Sequence, residues 1–238
     1  MDIKGKRAIV LGGTSGIGLA AVQQLASGGA EVIAGSRSKS NIERTAATVS
    51  DNVTFREIDV LDRDGLSTLF QEFAPFDILV NTATGGARAM GPFLEMDLDG
   101  FQGSFRKLWG YTNSVRLGTE HMTTSGAIVL VSGYPARKCG PGYSAISTVG
   151  NAVEGFVRAI APEIAPRRIN AVSPGLTDTP MFTMQGAERE TFFHDATKNT
   201  LIPRAGKAEE VADAILFLIK NEYMTGSTVD VEGGALLP

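Results

Sequence analysis

Apolar and polar positions follow two alternating periods along the chain. Short apolar runs at Ala8–Leu11, Ala30–Ala34, Phe76–Val80 and Gly126–Val131 predict buried strands. Val53–Ile58, Arg168–Val172 and Ser227–Val231 read as further strands. Between them apolar residues recur at helical spacing. Ile17, Ala20, Ala21 and Leu25 predict a helix stopped by Gly28-Gly29. Asn41–Ser50 predicts a polar helix, Asp64–Phe73 a helix closed by Pro75, and Leu94–Thr123 a long helical region. Another helix opens at Tyr143 or Ser144, with Val149, Val153, Phe156, Val157 and Ile160 on its apolar face, and Pro162 is expected to kink or end it. Glu209–Lys220 is the last helix. Residues 176–200 have weak periodicity and read as a long loop, a lid or substrate-binding segment.

Strands alternating with helices predict an α/β fold with a doubly wound parallel sheet and helices on both faces. Right-handed crossovers bring the carboxyl ends of the strands to one edge, where ligands bind. Gly12, Ser36, Asp59 and Asn81 fall at such ends. No linker, low-complexity run or charge block divides the 238 residues, so a single domain over 1–238 is expected.

The first strand–turn–helix unit carries the clearest chemistry. Gly12, Gly16 and Gly18 are spaced G-x-x-x-G-x-G between an apolar run and a helix. Glycine permits the tight turn and lets a phosphate approach main-chain N–H groups. A helix N-terminus then offers it unpaired N–H groups and partial positive charge. Thr14 and Ser15 add hydroxyl donors, and Ile17 opens the helix beside them. At the end of the second strand an acidic residue would bind the ribose hydroxyls of NAD. Ser36 followed by Arg37 stands there instead, and a guanidinium pairs well with a 2′-phosphate, so NADP(H) is the expected cofactor.

The chain is 43% hydrophobic and 20% charged, with net charge −4, which argues against a nucleic-acid-binding surface. No apolar run reaches the length of a membrane span, and the first residues lack the apolar core of a signal peptide. Cys139 is the only cysteine, so no intrachain disulfide forms, and a cytoplasmic setting is expected. His121 and His194 lack metal-ligand spacing to each other or to Cys139, so no metal site is expected.

From Lys6 to Gly234 the chain resembles the short-chain dehydrogenase/reductase family. The resemblance rests on VLGGTSGIG, the aspartate of IDV, LVNTAT in place of the usual LVNNAG, AIVLVSG, INAVSPGLTDTP and GSTVDVEGG. It implies a seven-stranded Rossmann sheet, a nicotinamide cofactor, a small-molecule substrate and a homo-oligomer, dimer or tetramer. It also implies that Asp59 and Val60 flank the adenine, that Asn81 and Ala83 line the cofactor, and that Pro174, Gly175 and Thr179 face the nicotinamide.

The family's catalytic Tyr-x-x-x-Lys is not legible in this chain. Ser132 stands at the family's serine. The ungapped register around Asn151–Ala159 puts Ile146 at the Tyr position and Gly150 at the Lys position, which leaves a gap where the Lys would lie. A second register puts Tyr143 and Ser147 there. Lys107 falls on the family's Asn in the long helix, so an ammonium group is expected to enter the site from that side, with a pKa lowered by burial. Tyr143 is the better substitute acid of Tyr134 and Tyr143, while Arg137 and Lys138 read as a solvated loop or an anchor for an anionic substrate. Two functions follow: an NADP(H)-dependent oxidoreductase using Ser132, Lys107 and Tyr143, or a catalytically silent NADP-binding sensor or regulator.

Overall fold

Strand and helix alternate as the sequence pattern predicts. The structure, a computed structural model, describes residues 1–86 and 88–237. In chain order the elements are β1 (Arg7–Leu11), α1 (Gly16–Ser27), β2 (Glu31–Ser36), α2 (Lys39–Ala46), β3 (Val53–Glu57), α3 (Arg63–Glu72), β4 (Phe76–Asn81), α4 (Leu98–Ser104), α5 (Arg106–Gly118), β5 (Met122–Val131), α6 (Ser144–Ile164), β6 (Arg168–Pro174), β7 (Thr177–Asp178), α7 (Gly186–Thr197), β8 (Gly206–Lys207), α8 (Ala208–Lys220) and β9 (Thr228–Val231). Seven strands form one parallel sheet in the order β3-β2-β1-β4-β5-β6-β9. The short β7 and β8 pair separately beside it.

The continuous apolar strands are buried on both faces, and their two-residue period divides the core. Ala8 and Val10 of β1 pack with Leu25 of α1 and Ile215 and Leu218 of α8. Ile9 and Leu11 point the other way, towards Leu66 and Phe70 of α3, Tyr111 of α5 and Val153 of α6. Strand order reverses at β1, which pairs with β2 on one side and β4 on the other. A crevice opens at such a reversal. There Gly12 and Gly13 donate to the Gly35 carbonyl at 2.8 and 3.1 Å, and the Thr82 amide donates to Leu11 at 2.9 Å.

Pro162 lies in the last turn of α6, which ends at Ile164, so it ends the helix, one of the two outcomes expected of it. Two expected elements differ. The region 94–123 is not one helix: α4 is capped by Asp97, which accepts from the amides of Asp99 and Gly100, and α5 begins separately at Arg106. The segment 176–200 carries α7, which has no continuous apolar stripe: Phe193 and Thr197 are its buried residues. Among the described residues no helix is long and apolar enough to cross a membrane, and no His, Cys, Asp and Glu group is placed to hold a metal ion.

Arg168 at the start of β6 closes the C-terminus of α8. Its guanidinium donates to the carbonyls of Leu218 at 2.8 Å, Ile219 at 2.7 Å and Met224 at 3.1 Å, and burial holds its pKa below the usual arginine value. Arg168→Met is expected to lower stability by about 1.5–3 kcal/mol, the range for hydrogen bonds to a charged group. Denaturant unfolding measures this, and an unchanged midpoint would contradict it.

Candidate functional site

The glycine turn is a closely built cradle. Gly12 has φ +83°, and a Cβ there would lie 2.6 Å from Thr82 Oγ1 and 2.9 Å from the Ala83 amide nitrogen. A Cβ on Gly18 would lie 2.1 Å from the Gly12 carbonyl oxygen. The first turn of α1 therefore sits directly on the loop. The Ser15 side chain caps no amide and the first turn holds no acid, so its N–H groups remain available to an anion. This donor set fits a nucleotide phosphate. Thr14 is used differently from expectation: it is buried, and its hydroxyl donates to Ser36 Oγ at 2.8 Å, tying the turn to the end of β2.

Arg37 follows β2 with its guanidinium 3.3 Å from the Gly85 carbonyl and 3.7 Å from Asp59 Oδ2. Asp59 caps its own turn by accepting from the Leu61 amide at 2.9 Å. Val60 is buried, and α5 approaches it so closely that a Cβ on Gly110 would lie 2.5 Å from Val60 Cγ2. Asn81 is fully buried at the end of β4, donating to Ser114 Oγ at 2.8 Å and accepting from the Ala83 amide at 3.0 Å. Asn81 thus fixes the turn that places Thr82 and Ala83 over Gly12.

The end of β5 is held from both faces. Lys107 and Tyr111 lie one turn apart on α5. Tyr111 donates to the Val131 carbonyl at 3.1 Å, and Lys107 Nζ donates to the Ser132 carbonyl at 3.1 Å while standing 5.6 Å from the centre of the Tyr111 ring. Desolvation, with a smaller contribution from the Arg88 guanidinium, pulls the Lys107 pKa down from 10.5 to about 7. Burial also raises the Tyr111 phenol above its usual value.

Ser132 is 6% exposed and turns its hydroxyl towards α6, 3.2 Å from the Gly150 carbonyl and 3.0 Å from Glu154 Oε1. It therefore meets Lys107 through its carbonyl, where a free hydroxyl aimed at substrate was expected. Glu154 in turn lies 3.6 Å from Arg137 Nη2, and Arg137 forms a two-point ion pair with Asp230 of β9, one contact of which is 2.8 Å. Arg137 is thus an exposed side chain that clasps Glu154 and Asp230.

Tyr143 stands at the N-cap of α6, close to Tyr134, whose pKa burial pushes up to about 12. Ile146 and Gly150 lie on α6, but the gap expected beside Gly150 is closed. A Cβ there would meet Ala136 Cβ at 2.9 Å, and Asn151 donates to the Ala136 carbonyl beside it. The turn Tyr134–Ala136 fills the space.

A family model described as Enoyl-(Acyl carrier protein) reductase matches residues 12–235. The chain is 32% identical to the 3-oxoacyl-[acyl-carrier-protein] reductase FabG of Thermotoga maritima over 252 residues, covering all of both chains. The chain belongs to the short-chain dehydrogenase/reductase family. A short-chain dehydrogenase/reductase of Stachybotrys chlorohalonatus, ATR9, is 31% identical over 99% of this chain and 98% of its own length. The crystal structure of a small-chain dehydrogenase in complex with NADPH superposes with a TM-score of 0.82 at 28% identity, covering 99% of this chain and all of that one.

In this short-chain dehydrogenase/reductase chain the segment after β6 closes over the cradle. Gly175 donates to the Val231 carbonyl at 2.9 Å, which keeps Pro174-Gly175 at the sheet edge. Thr179 sits against the glycine turn, 3.2 Å from where a Gly16 Cβ would be. Arg189 of α7 organises the rest: it pairs with Asp178 and donates to the carbonyls of Thr179, Phe182 and Met184 at 2.9, 2.6 and 3.2 Å. Sequence reasoning missed Arg189, Tyr111 and Glu154. Glu154 left a trace, an acid set among Val149, Val153 and Val157 on an apolar helix face.

Gly150→Ala tests the close packing of α6 on the Tyr134–Ala136 turn. Alanine normally gains about 1 kcal/mol over glycine inside a helix. Here overpacking costs about 1–3 kcal/mol, so the variant is expected to be less stable, and Ala136→Gly in the same chain should restore it. A rise in thermal midpoint for the single variant would show that the contact is absent.

Proposed function

We propose that this chain binds NADP(H) and serves hydride transfer between it and a small carbonyl or alcohol substrate, with Lys107 in place of the family's Tyr-x-x-x-Lys pair. The main-chain amides of Ser15, Gly16, Ile17 and Gly18 hold the pyrophosphate, with Gly12 giving the close approach and Thr14 bracing the turn. Ser36 and Arg37 hold the 2′-phosphate, Asp59 and Val60 flank the adenine, Asn81 and Ala83 line the cleft, and Pro174, Gly175 and Thr179 face the nicotinamide. Bound there, the nicotinamide supplies or accepts the hydride. Ile146 and Gly150 stand at the family's Tyr and Lys positions and cannot move a proton.

The observation that carries this reading is the Lys107 ammonium, held 3.1 Å from the Ser132 carbonyl at the ligand edge with a pKa near 7. A group that titrates near the working pH is suited to general acid–base work. Ser132 fixes Lys107 through its carbonyl, Lys107 gives a proton to the substrate oxygen in reduction and takes it in oxidation, and Tyr143 is the second phenolic donor at the cleft. The segment 176–200 is the substrate-binding lid. Exposed Leu94, Leu98 and Trp109 offer an apolar face for association of copies, as the family resemblance implies.

A panel of carbonyl compounds with NADPH tests the reading. Lys107→Met is expected to cut turnover by about 10²-fold or more while NADPH still binds. Because the folded-state pKa of Lys107 lies near 7, reduction should fall and oxidation should rise as pH passes upward through about 7. That limb should vanish in the variant. NADPH bound with no turnover on any carbonyl or alcohol would instead favour a cofactor-binding sensor.

The cofactor preference has its own test. Arg37→Ala should weaken NADPH by about 1.5–3 kcal/mol and leave NADH little changed. Equal affinity of the unmutated protein for NADH and NADPH would refute the preference.

A further inference from the structure

Arg88 is the charged group near the cleft that the proposed mechanism leaves unused. It stands on the segment that leaves β4 and lies along the start of α5. A Cβ on Gly85 there would be 2.6 Å from the Arg106 carbonyl oxygen and 3.0 Å from the Lys107 amide nitrogen, and the Ala89 amide donates to Ser104 Oγ at 2.8 Å. From that anchored segment Arg88 reaches across to the lid, where its Nη2 lies 2.7 Å from Met181 Sδ.

A thioether is a weak acceptor, whereas a guanidinium carries five donors in a planar fork. Among the described residues no carboxylate lies within ion-pair distance of Arg88, Arg106 or Lys107. By contrast Arg37 pairs with Asp59, Arg137 with Glu154 and Asp230, and Arg189 with Asp178. Arg88 is also partly desolvated, which holds its pKa below the usual arginine value, and its field reaches Lys107. An exposed guanidinium with no carboxylate partner among the described residues, whose field reaches a buried ammonium, is a ready receiver for an entering oxyanion.

We propose that Arg88 receives a carboxylate or phosphate group of the substrate, so that the carbonyl compound this site reduces is an anion gripped between the β4 segment and the lid, with its reacting oxygen turned to Lys107. The proposal rests on the reading of the Lys107 cleft as the reacting site.

The test is a calorimetric titration of malonate, and separately of inorganic phosphate, into protein saturated with NADPH so that the Arg37 side is already filled. At least one of the two should bind, and the one that binds assigns the anionic group. Binding should take up a fraction of a proton at pH 8, because an anion on Arg88 offsets its field, the smaller of the two causes, after burial, that lower the Lys107 pKa. Arg88→Met should weaken binding about tenfold or more and abolish the proton uptake, with NADPH affinity as the control for a folded protein.

A turnover comparison separates the two readings. Acetoacetate should be reduced in preference to methyl acetoacetate, and Arg88→Met should collapse that preference. Failure of both anions to bind, or equal binding by Arg88→Met, overturns the anion site even if the ester is reduced. Binding that depends on Arg88, without turnover of any carbonyl compound, supports the anion site and removes the oxidoreductase reading.

Discussion

Two adjacent carbonyls at the end of β5 determine where the rest of the site stands. Strands of a parallel sheet run out of ladder partners at their carboxyl ends, and buried carbonyls there need donors from elsewhere. Tyr111 and Lys107, one helical turn apart on α5, serve Val131 and Ser132. The same turn of α5 is pressed onto Val60 through Gly110. Ser132 is simultaneously held on its other side by Glu154 of α6. The strand end, two helices and the Val60 turn are thereby fixed to one another.

The two clusters of charge around this strand end are of opposite kinds. Behind α6, Glu154, Arg137 and Asp230 form a closed set in which each charge has a partner. Such a set ties loop, helix and edge strand together, and breaking it leaves an uncompensated buried carboxylate. In front, among the described residues, Lys107 meets a carbonyl and an aromatic face and Arg88 a thioether, with no carboxylate beside either. The back of the site is electrostatically complete, while the front has spare positive charge and spare donors.

The strands and the first strand–turn–helix unit were legible because their periods are strong. A buried run such as Ala8–Leu11 splits cleanly between two core layers, and Gly12, Gly16 and Gly18 carry a steric requirement that no other residue meets. Lys107 was legible only through the family resemblance, which sets it at the family's Asn position, and its ammonium does reach the strand end at the Ser132 carbonyl. Gly150 misled, since an absent side chain reads as a void, whereas the Tyr134–Ala136 turn, distant in sequence, packs into it. Ser132 misled for a related reason: its position on the chain was clear, but the rotamer that faces Glu154 depends on a partner 22 residues away. The segment 176–200 had no period to read because α7 is held by a charged side chain and a cluster of phenylalanines, not by an apolar stripe.

That last arrangement makes this segment a preassembled piece. Arg189 joins Asp178, Thr179, Phe182 and Met184 to α7, its guanidinium stacks on Phe193, and Phe182, Phe192 and Phe193 pack on one another. The backbone across this stretch is ordered by its own contacts before any ligand arrives. Any displacement over the crevice is then a rotation of a formed block about its two ends, and ligand affinity is not eroded by the entropy of ordering a loose loop at each encounter.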